Sequence, residues 1–408
     1  MTNITIVKGK KGAGMSILAT QMAQLFPRVL YVCPLAHLPG HPPFECTKET
    51  RIMKEHGVDI ELLTFCGVHS GFEVSVPHIK VMKDNELFKA IRKKFVLQWF
   101  LRVPEYLSTI TKAELIAGNR PIYLRDAEPL PHLVHITNII ARKKWVISST
   151  GGLYTTGKGI KRIYKFLLGL TGVYLRFWYK IGRDKISYSV QNPHIKLLMQ
   201  EILGKNITTI PLGHKAEIPT NKEEARGILG IGVDKRVLLM LGANHSGRDN
   251  ETVYKALQNL DDGIMLIHAG PTIIGYGISP VELAKKYNVE AKVMVLEKQI
   301  GNEEKKLLFG AADWAILSYR DTFSSTTSML WEAAAFNTPV IASSGSELET
   351  LVERWGLGLV FKAGSPDSLI ETIRKSNKLD GWAQENCREF IEFYSEEKWF
   401  QATIALLK

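Results

Sequence analysis

Short apolar runs recur along the chain and alternate with longer segments of helical character. In the first half they are Ile4–Val7, Val29–Cys33, Ile60–Phe65, Pro121–Leu124 and Trp145–Ser148, with a further segment near Gln21–Leu25. In the second half they are Arg236–Gly242, Ile264–Pro271, Lys292–Leu296, Trp314–Leu317 and Pro339–Ile341. Runs of strand length without polar alternation predict strands buried on both faces. Helical segments between them predict crossover connections, so the expected class is α/β with doubly wound parallel sheets. Pro211, Gly213 and Pro219 cluster between Leu212 and Thr220 and predict a boundary there. The expected division is 1–215 and 216–389. No short-period repeat or low-complexity segment interrupts it.

Composition narrows the class. A chain of 408 residues suggests two or three domains, and 45% apolar with 23% charged content is ordinary for a globular protein. Cys33, Cys46, Cys66 and Cys387 form no CxxC pair, which points to a reducing compartment and away from a structural zinc. The chain enters a strand at Ile4, so no secretory signal is expected. No apolar run approaches the ~18 residues that span a bilayer. A cytoplasmic protein, free or peripheral on the inner membrane face, is the expectation.

Charge is uneven. Residues 1–215 carry 31 Lys and Arg against 14 Asp and Glu, a net +17, whereas residues 216–408 carry 21 against 27, a net −6. The two halves make the +11 of the chain. From Pro129 to Arg183 there are ten cations and no carboxylate. Arg142, Lys143, Lys144, Lys161, Arg162 and Lys165 are among them, with aromatic residues such as Trp178 interleaved. A second basic and aromatic segment runs from Phe88 to Arg102. Basic amphipathic segments carrying Trp and Phe suit an anionic membrane surface. Plain core helices with basic solvent faces account for the same pattern. Nucleic acid is the less expected partner, because no RNP, KH or helix-turn-helix signature accompanies the charge.

Candidate chemistry concentrates between Ser318 and Phe361. The hydroxyl run from Ser324 to Ser328 stands before a helix-forming segment, Met329–Phe336, that ends at Asn337-Thr338-Pro339. A helix N-terminus offers free N–H groups and partial positive charge to an anion. Glu332 lies one turn inside, placed to accept from a group docked at the helix end or simply to meet the helix dipole. Gly358–Phe361 reads as the strand that closes the stretch.

This stretch resembles the donor-binding half of retaining, family-4-like glycosyltransferases of the GT-B fold. Their pattern is a Glu, seven residues, then Glu-Ala-Met-Ala-x-Gly-x-Pro-Val, a Gly turn and Gly-Leu-Val. EAAAFNTPV from Glu332 to Val340 matches from the second Glu onward, and Gly358–Phe361 matches the exit. The first Glu is replaced by Ser324. Tyr319-Arg320-Asp321 looks like a Tyr-Arg-Asp version found in some branches of the family. The resemblance implies that Glu332 accepts the ribose hydroxyls of a nucleotide. Thr327, Ser328 and Met329 would supply backbone N–H groups to its diphosphate, while Ser324 and Ser325 serve equally as plain caps.

Gly242 to Glu251 resembles the family's Gly-x-x-Arg-x-x-Lys loop, whose cations stabilise the leaving diphosphate. His245 stands at the Arg position and Arg248 at the Lys position; Arg248 keeps charge and fork geometry suited to phosphate. His245 serves as a phosphate ligand or as a loop histidine bonded to its neighbours. The first βα turn, from Lys8 to Ser16, nearly spells a phosphate-binding P-loop, but Met15 replaces the required Lys, so nucleotide hydrolysis is not expected. Gly12 and Gly14 there suit close backbone approach of donor or acceptor. Asp126 follows a strand and is either a carboxylate at the sheet edge or a helix cap. Where the family often has a His-Gly, this chain has Ser148-Ser149-Thr150-Gly151. His132 and His135 lack a third ligand at metal spacing, so no metal is expected.

The resemblance as a whole implies transfer of a sugar from a UDP- or GDP-linked donor to a sugar or lipid-linked acceptor. It implies retention of configuration, no required metal or other cofactor, and a role in polysaccharide or glycolipid assembly. It implies too that a final helix near 390–408 crosses back onto the first domain. Two other classes remain open: a basic adaptor of the same fold without turnover, and a sugar-nucleotide epimerase.

The basic belt carries a prediction of its own. Each Lys or Arg near an anionic surface contributes on the order of 1 kcal/mol, screened by salt within a Debye length of ~8 Å. The protein should therefore co-sediment with anionic but not neutral vesicles, less at high salt. Charge reversal at Lys161, Arg162 and Lys165 should release it. Binding that ignores lipid charge would refute the idea, and displacement by RNA would favour nucleic acid.

Overall fold

The computed structural model describes residues 26–37, 41–82, 95–125, 144–149, 186–191, 196–197, 200, 207–245, 247–272, 278–321, 327–376 and 383–408. The chain divides into two compact units, one drawn from Met1–Leu212 with Trp399–Lys408, the other Gly213–Lys398.

In the first unit the described strands are β1 (Val29–Cys33), β2 (Ile60–Thr64), β3 (His78–Lys80), β4 (Ile122–Arg125), β5 (Trp145–Ser149), β6 (Ile186–Val190) and β7 (Thr208–Thr209). They form one sheet in the order β3-β2-β1-β4-β5-β6-β7, every pair parallel. Strands β3, β6 and β7 are not among the predicted apolar runs. Two of these are very short, and the serines of β6 break its apolar run. Ser189 of β6 pairs with Ser148 of β5.

Helix α1 (His41–Glu55) and helix α2 (Phe95–Ile116) belong to this unit. One core joins Leu30, Leu63, Leu124 and Trp145 to Tyr106 and Ile110 of α2. A second joins Val29, Leu62, Tyr123 and Ile52 of α1 to Trp399, Phe400 and Ile404 of the C-terminal helix. Lys144 is half-buried before β5, and its carbonyl accepts from the Ile122 amide at 2.9 Å. Gly12, Gly14, Asp126, Arg142, Lys143, Lys161, Arg162, Lys165 and Trp178 lie outside the described residues. Among the described residues, no helix is long and apolar enough to cross a membrane.

A buried ionic network ties α1 to this sheet. Arg125, at the end of β4, pairs with Glu45 and, at 3.2 Å, with Glu49, and donates to Ser148 Oγ at 2.7 Å. Tyr31 O–H donates to Glu49 at 2.7 Å. Two carboxylates thus share one guanidinium. Burial pushes the Glu49 carboxyl up to about 6, and the attraction of Arg125 offsets this only in part.

A carboxyl raised in the fold binds its proton more tightly there than in the unfolded chain. The stability it contributes is full below the unfolded value near 4.5 and is lost as pH rises through about 6. Glu49→Gln keeps an acceptor for Tyr31 and removes the excess charge. The variant should melt higher than wild type at pH 7.5, by the equivalent of about 2 kcal/mol, with the advantage vanishing toward pH 4.5. Thermal melts of both proteins across that range check it; a pH-independent difference would refute it.

Candidate nucleotide-binding site

The second unit contains six parallel strands: β8 (Arg236–Leu241), β9 (Ile264–Ala269), β10 (Val293–Leu296), β11 (Trp314–Leu317), β12 (Val340–Ser343) and β13 (Gly358–Phe361). Their order is β10-β9-β8-β11-β12-β13. The helices are α3 (Lys222–Leu229), α4 (Asn250–Gln258), α5 (Pro280–Lys286), α6 (Asn302–Ala311), α7 (Ser328–Ala335), α8 (Glu347–Trp355), α9 (Pro366–Ser376) and α10 (Gln384–Phe393), with α11 (Glu396–Leu407) running into the first unit. They bury both faces of the sheet. Leu239, Leu241, Ile267 and Leu317 pack with Met329, Leu330 and Phe309 on one side. Leu238, Met240, Leu266 and Ile316 pack with Tyr254 and Leu257 on the other.

From β8 the sheet builds outward through β9 and β10 in one direction, and through β11, β12 and β13 in the other. The connections after β8 and β11 therefore diverge, opening a crevice at their carboxyl ends, where ligands bind in sheets of this kind. The loops carrying the candidate residues leave these two strands.

Backbone bonds stitch the loops together. Arg248 and Tyr319 form an antiparallel bridge. Asp249 N–H donates to Ser318 O at 3.1 Å, Arg320 N–H to Gly247 O at 3.0 Å, and Ser318 Oγ to Asp249 O at 2.8 Å. Asp249 then caps α4, accepting from Thr252 Oγ1 at 2.6 Å. Gly242 has φ +107°, and its amide donates to Ala269 O at 2.9 Å. A Cβ there would meet Arg248 Nη2 at 2.7 Å and Met329 Sδ at 3.5 Å. The glycine is the floor on which the Arg248 side chain and the start of α7 come together.

Arg248 is 4% exposed. Its Nη2 donates to Leu241 O at 2.5 Å, and its guanidinium carbon lies 5.4 Å from the centre of the Tyr319 ring. Nε and Nη1 are buried and have no hydrogen-bond partner among the described residues. Buried polar groups are almost always satisfied, and an unpartnered charged one calls for an explanation. Two forked donors with nothing to hold fit an anion. Behind them His268 is buried, and its imidazole is pushed down to about 3 by burial and then by Arg248, so it adds no charge.

His245 Nδ1 accepts from the Gly247 amide at 3.1 Å. That bond requires Nδ1 without a proton, so the proton of the neutral ring is on Nε2. His245 therefore braces its own loop.

Helix α7 begins at Ser328, one residue before the expected start. Thr327 is its cap, and Thr327 Oγ1 accepts from the Met329 amide at 3.2 Å. The Met329 N–H, expected to be open to a ligand, is thus already engaged by the cap. Ser328 is half-buried in the first turn, and Ser324 and Ser325 lie outside the described residues. Glu332, expected to stand open, forms a 2.8 Å ion pair with Lys305 of α6, both side chains about one-fifth exposed (20% and 18%). Sequence reasoning missed Lys305. Its place in a Glu- and Lys-rich helix start gave no sign of a partner distant in sequence. Tyr319 is singled out in the sequence only as part of Tyr319-Arg320-Asp321, and its contact with Arg248 joins residues distant in the chain.

A separate cavity of about 810 Å³, lined by Pro219, Asn221, Phe309, Phe336 and Pro339, lies at the opposite edge, beside the amino ends of β11 and β12. Among the described residues, no three His, Cys, Asp or Glu side chains are grouped to hold a metal ion.

Residues 221–393 match the family described as Glycosyl transferases group 1. The chain is 31% identical over 169 residues to D-inositol 3-phosphate glycosyltransferase of Mycobacterium tuberculosis, a match covering 40% of this chain and 32% of that protein. The same values hold for the Mycobacterium bovis protein. The chain thus spans about a third of the length of the curated relatives it matches. Sucrose-phosphate synthase from Thermosynechococcus elongatus superposes with a TM-score of 0.70 at 15% identity, covering 93% of this chain and 98% of that one. Anabaena HepE in complex with UDP and glucose gives 0.67 at 15% identity, covering 93% and 99%. With two parallel-sheet units, the fold is GT-B.

The unpartnered guanidinium sets a prediction for the protein without ligand. Arg248→Met fills similar volume and removes two unsatisfied buried donors, so the second unit should gain about 1–3 kcal/mol. A higher melting temperature by scanning calorimetry is the expected result. A clear loss would mean that the guanidinium is satisfied in the free protein.

Proposed function

We propose that this protein is a glycosyltransferase that takes its sugar from a nucleoside diphosphate donor bound at the carboxyl ends of β8 and β11. The observation that carries the reading is the buried Arg248 guanidinium, with two unfilled donors, beside the N-terminus of α7. The group 1 domain match and the structural likeness to HepE, solved with UDP and glucose, support it.

In this reading the diphosphate sits against Arg248 and the mouth of α7, and the ribose reaches Glu332. Lys305 holds one carboxylate oxygen of Glu332 and leaves the other to accept. When the glycosidic bond to the donor breaks, negative charge grows on the departing diphosphate. A forked cation fixed beforehand in a water-poor site stabilises that charge more in the transition state than in the ground state. His245, whose ring centre lies 6.4 Å from that of Tyr319, adds a second polar side chain to this loop. An acceptor hydroxyl from a sugar or lipid-linked sugar then attacks the anomeric carbon, with retention of configuration as the expected outcome. The chemistry assigns no step to a metal. The basic belt of the first half would bring the protein to an anionic membrane surface carrying such acceptors.

The first test is thermal shift with UDP, GDP and ADP, since stabilisation follows RT ln(1 + [L]/Kd). One of them should raise the melting temperature, and a matching nucleotide-sugar should be slowly hydrolysed or transferred. Glu332→Ala should weaken the best nucleotide by ~1.5–3 kcal/mol. Unchanged affinity in the folded variant would remove the ribose role. Binding without any hydrolysis or transfer would favour an adaptor, and interconversion of nucleotide-sugars an epimerase.

A further inference from the structure

We propose that Tyr319 is the positioning residue of the diphosphate pocket, fixing both the guanidinium of Arg248 and the direction in which Thr327 donates. The inference rests on the reading of this pocket as a diphosphate site.

Tyr319 is 2% exposed, and its amide donates to Ser343 Oγ at 3.0 Å, so the residue is fixed to the sheet by β12. Its ring lies 5.4 Å from the Arg248 guanidinium carbon and 6.4 Å from the His245 ring. Arg248 makes one side-chain hydrogen bond among the described residues, from Nη2 to Leu241 O. A guanidinium held at one nitrogen can swing about that bond. The aromatic face removes that freedom and sets the plane in which Nε and Nη1 point.

The phenol acts on the other side of the pocket. Tyr319 O–H donates to Thr327 Oγ1 at 2.7 Å, and the same oxygen accepts from the Met329 amide at 3.2 Å. A hydroxyl oxygen has two lone pairs and one proton. Both lone pairs are filled, so Thr327 is left as a donor at the mouth of α7. An ordinary threonine cap is free to turn either way; this one presents a proton to whatever anion docks there. Tyr319 thereby arranges three donors, two from Arg248 and one from Thr327, before a ligand arrives, which avoids the cost of ordering them on binding. A core role alone requires the ring but not the hydroxyl.

The test is calorimetric titration of the full chain with inorganic diphosphate and with UDP. Wild type and Arg248→Ala establish the pocket: binding in the first and its loss in the second are expected. Tyr319→Phe should weaken both ligands by about five-fold, the effect of one buried hydrogen bond, with little change in melting temperature. Thr327→Val should cost little more in that background. Tyr319→Leu should weaken both by about fifty-fold, well beyond the Tyr319→Phe effect, because it removes the ring against Arg248 as well as the hydroxyl on Thr327. No binding by wild type would overturn the diphosphate reading, and this inference with it. Binding by wild type, with Tyr319→Phe unaffected or Tyr319→Leu no weaker than Tyr319→Phe, would overturn the positioning role alone. If Tyr319→Leu does not fold, the Tyr319→Phe and Thr327→Val pair decides the question.

Discussion

The pairing of β8 with β11 is the constraint on which the candidate site depends. The connections after β8 and β11 leave in opposite directions, so no helix crosses the crevice at the carboxyl ends and the two loops meet there. Backbone bonds between them bring Arg248 against Tyr319 and both near the start of α7. The backbone bonds between residues 247–249 and 318–320 make that junction as rigid as a strand pair. Arg248 spends Nη2 on the Leu241 carbonyl, but Nε and Nη1 find no partner among the described residues, which is how a fold stores the capacity to bind an anion.

The first unit treats its buried arginine differently. Arg125 ends a strand at the carboxyl edge and is surrounded by Glu45, Glu49 and Ser148. There the excess is of carboxylate, and the strain falls on Glu49. One unit thus buries a guanidinium with partners to spare and the other buries one with too few. The former anchors helix to sheet; the latter has the character of a ligand site.

Glu332 and Lys305 show how a site residue is held ready. A lone carboxylate one turn inside α7 would face the weak dipole of its own helix and bulk water. The ion pair across to α6 fixes its position without closing it off, since both side chains keep some exposure. The capping by Thr327 works in the same direction, spending the Met329 amide on the helix itself and leaving hydroxyl and side-chain donors to meet a ligand.

The two parallel sheets were legible from the amino-acid order, because a strand buried on both faces must be a continuous apolar run, and β8, β9 and β11 are such runs. The start of α7 was legible to within a residue from its hydroxyl run and Pro339. The shape of EAAAFNTPV carried the family resemblance, and Gly242 marked a turn. Strands β3, β6 and β7 were not legible, being short or serine-broken, and are held by neighbours more than by their own pattern. Nor were the contacts of Arg248 with Tyr319, of Glu332 with Lys305, or of Arg125 with Glu45 and Glu49. Each joins residues far apart in the chain, and periodicity records only which way a side chain faces along its own element. Which partner waits there is decided by strand order, and strand order exists only once the sheet has assembled.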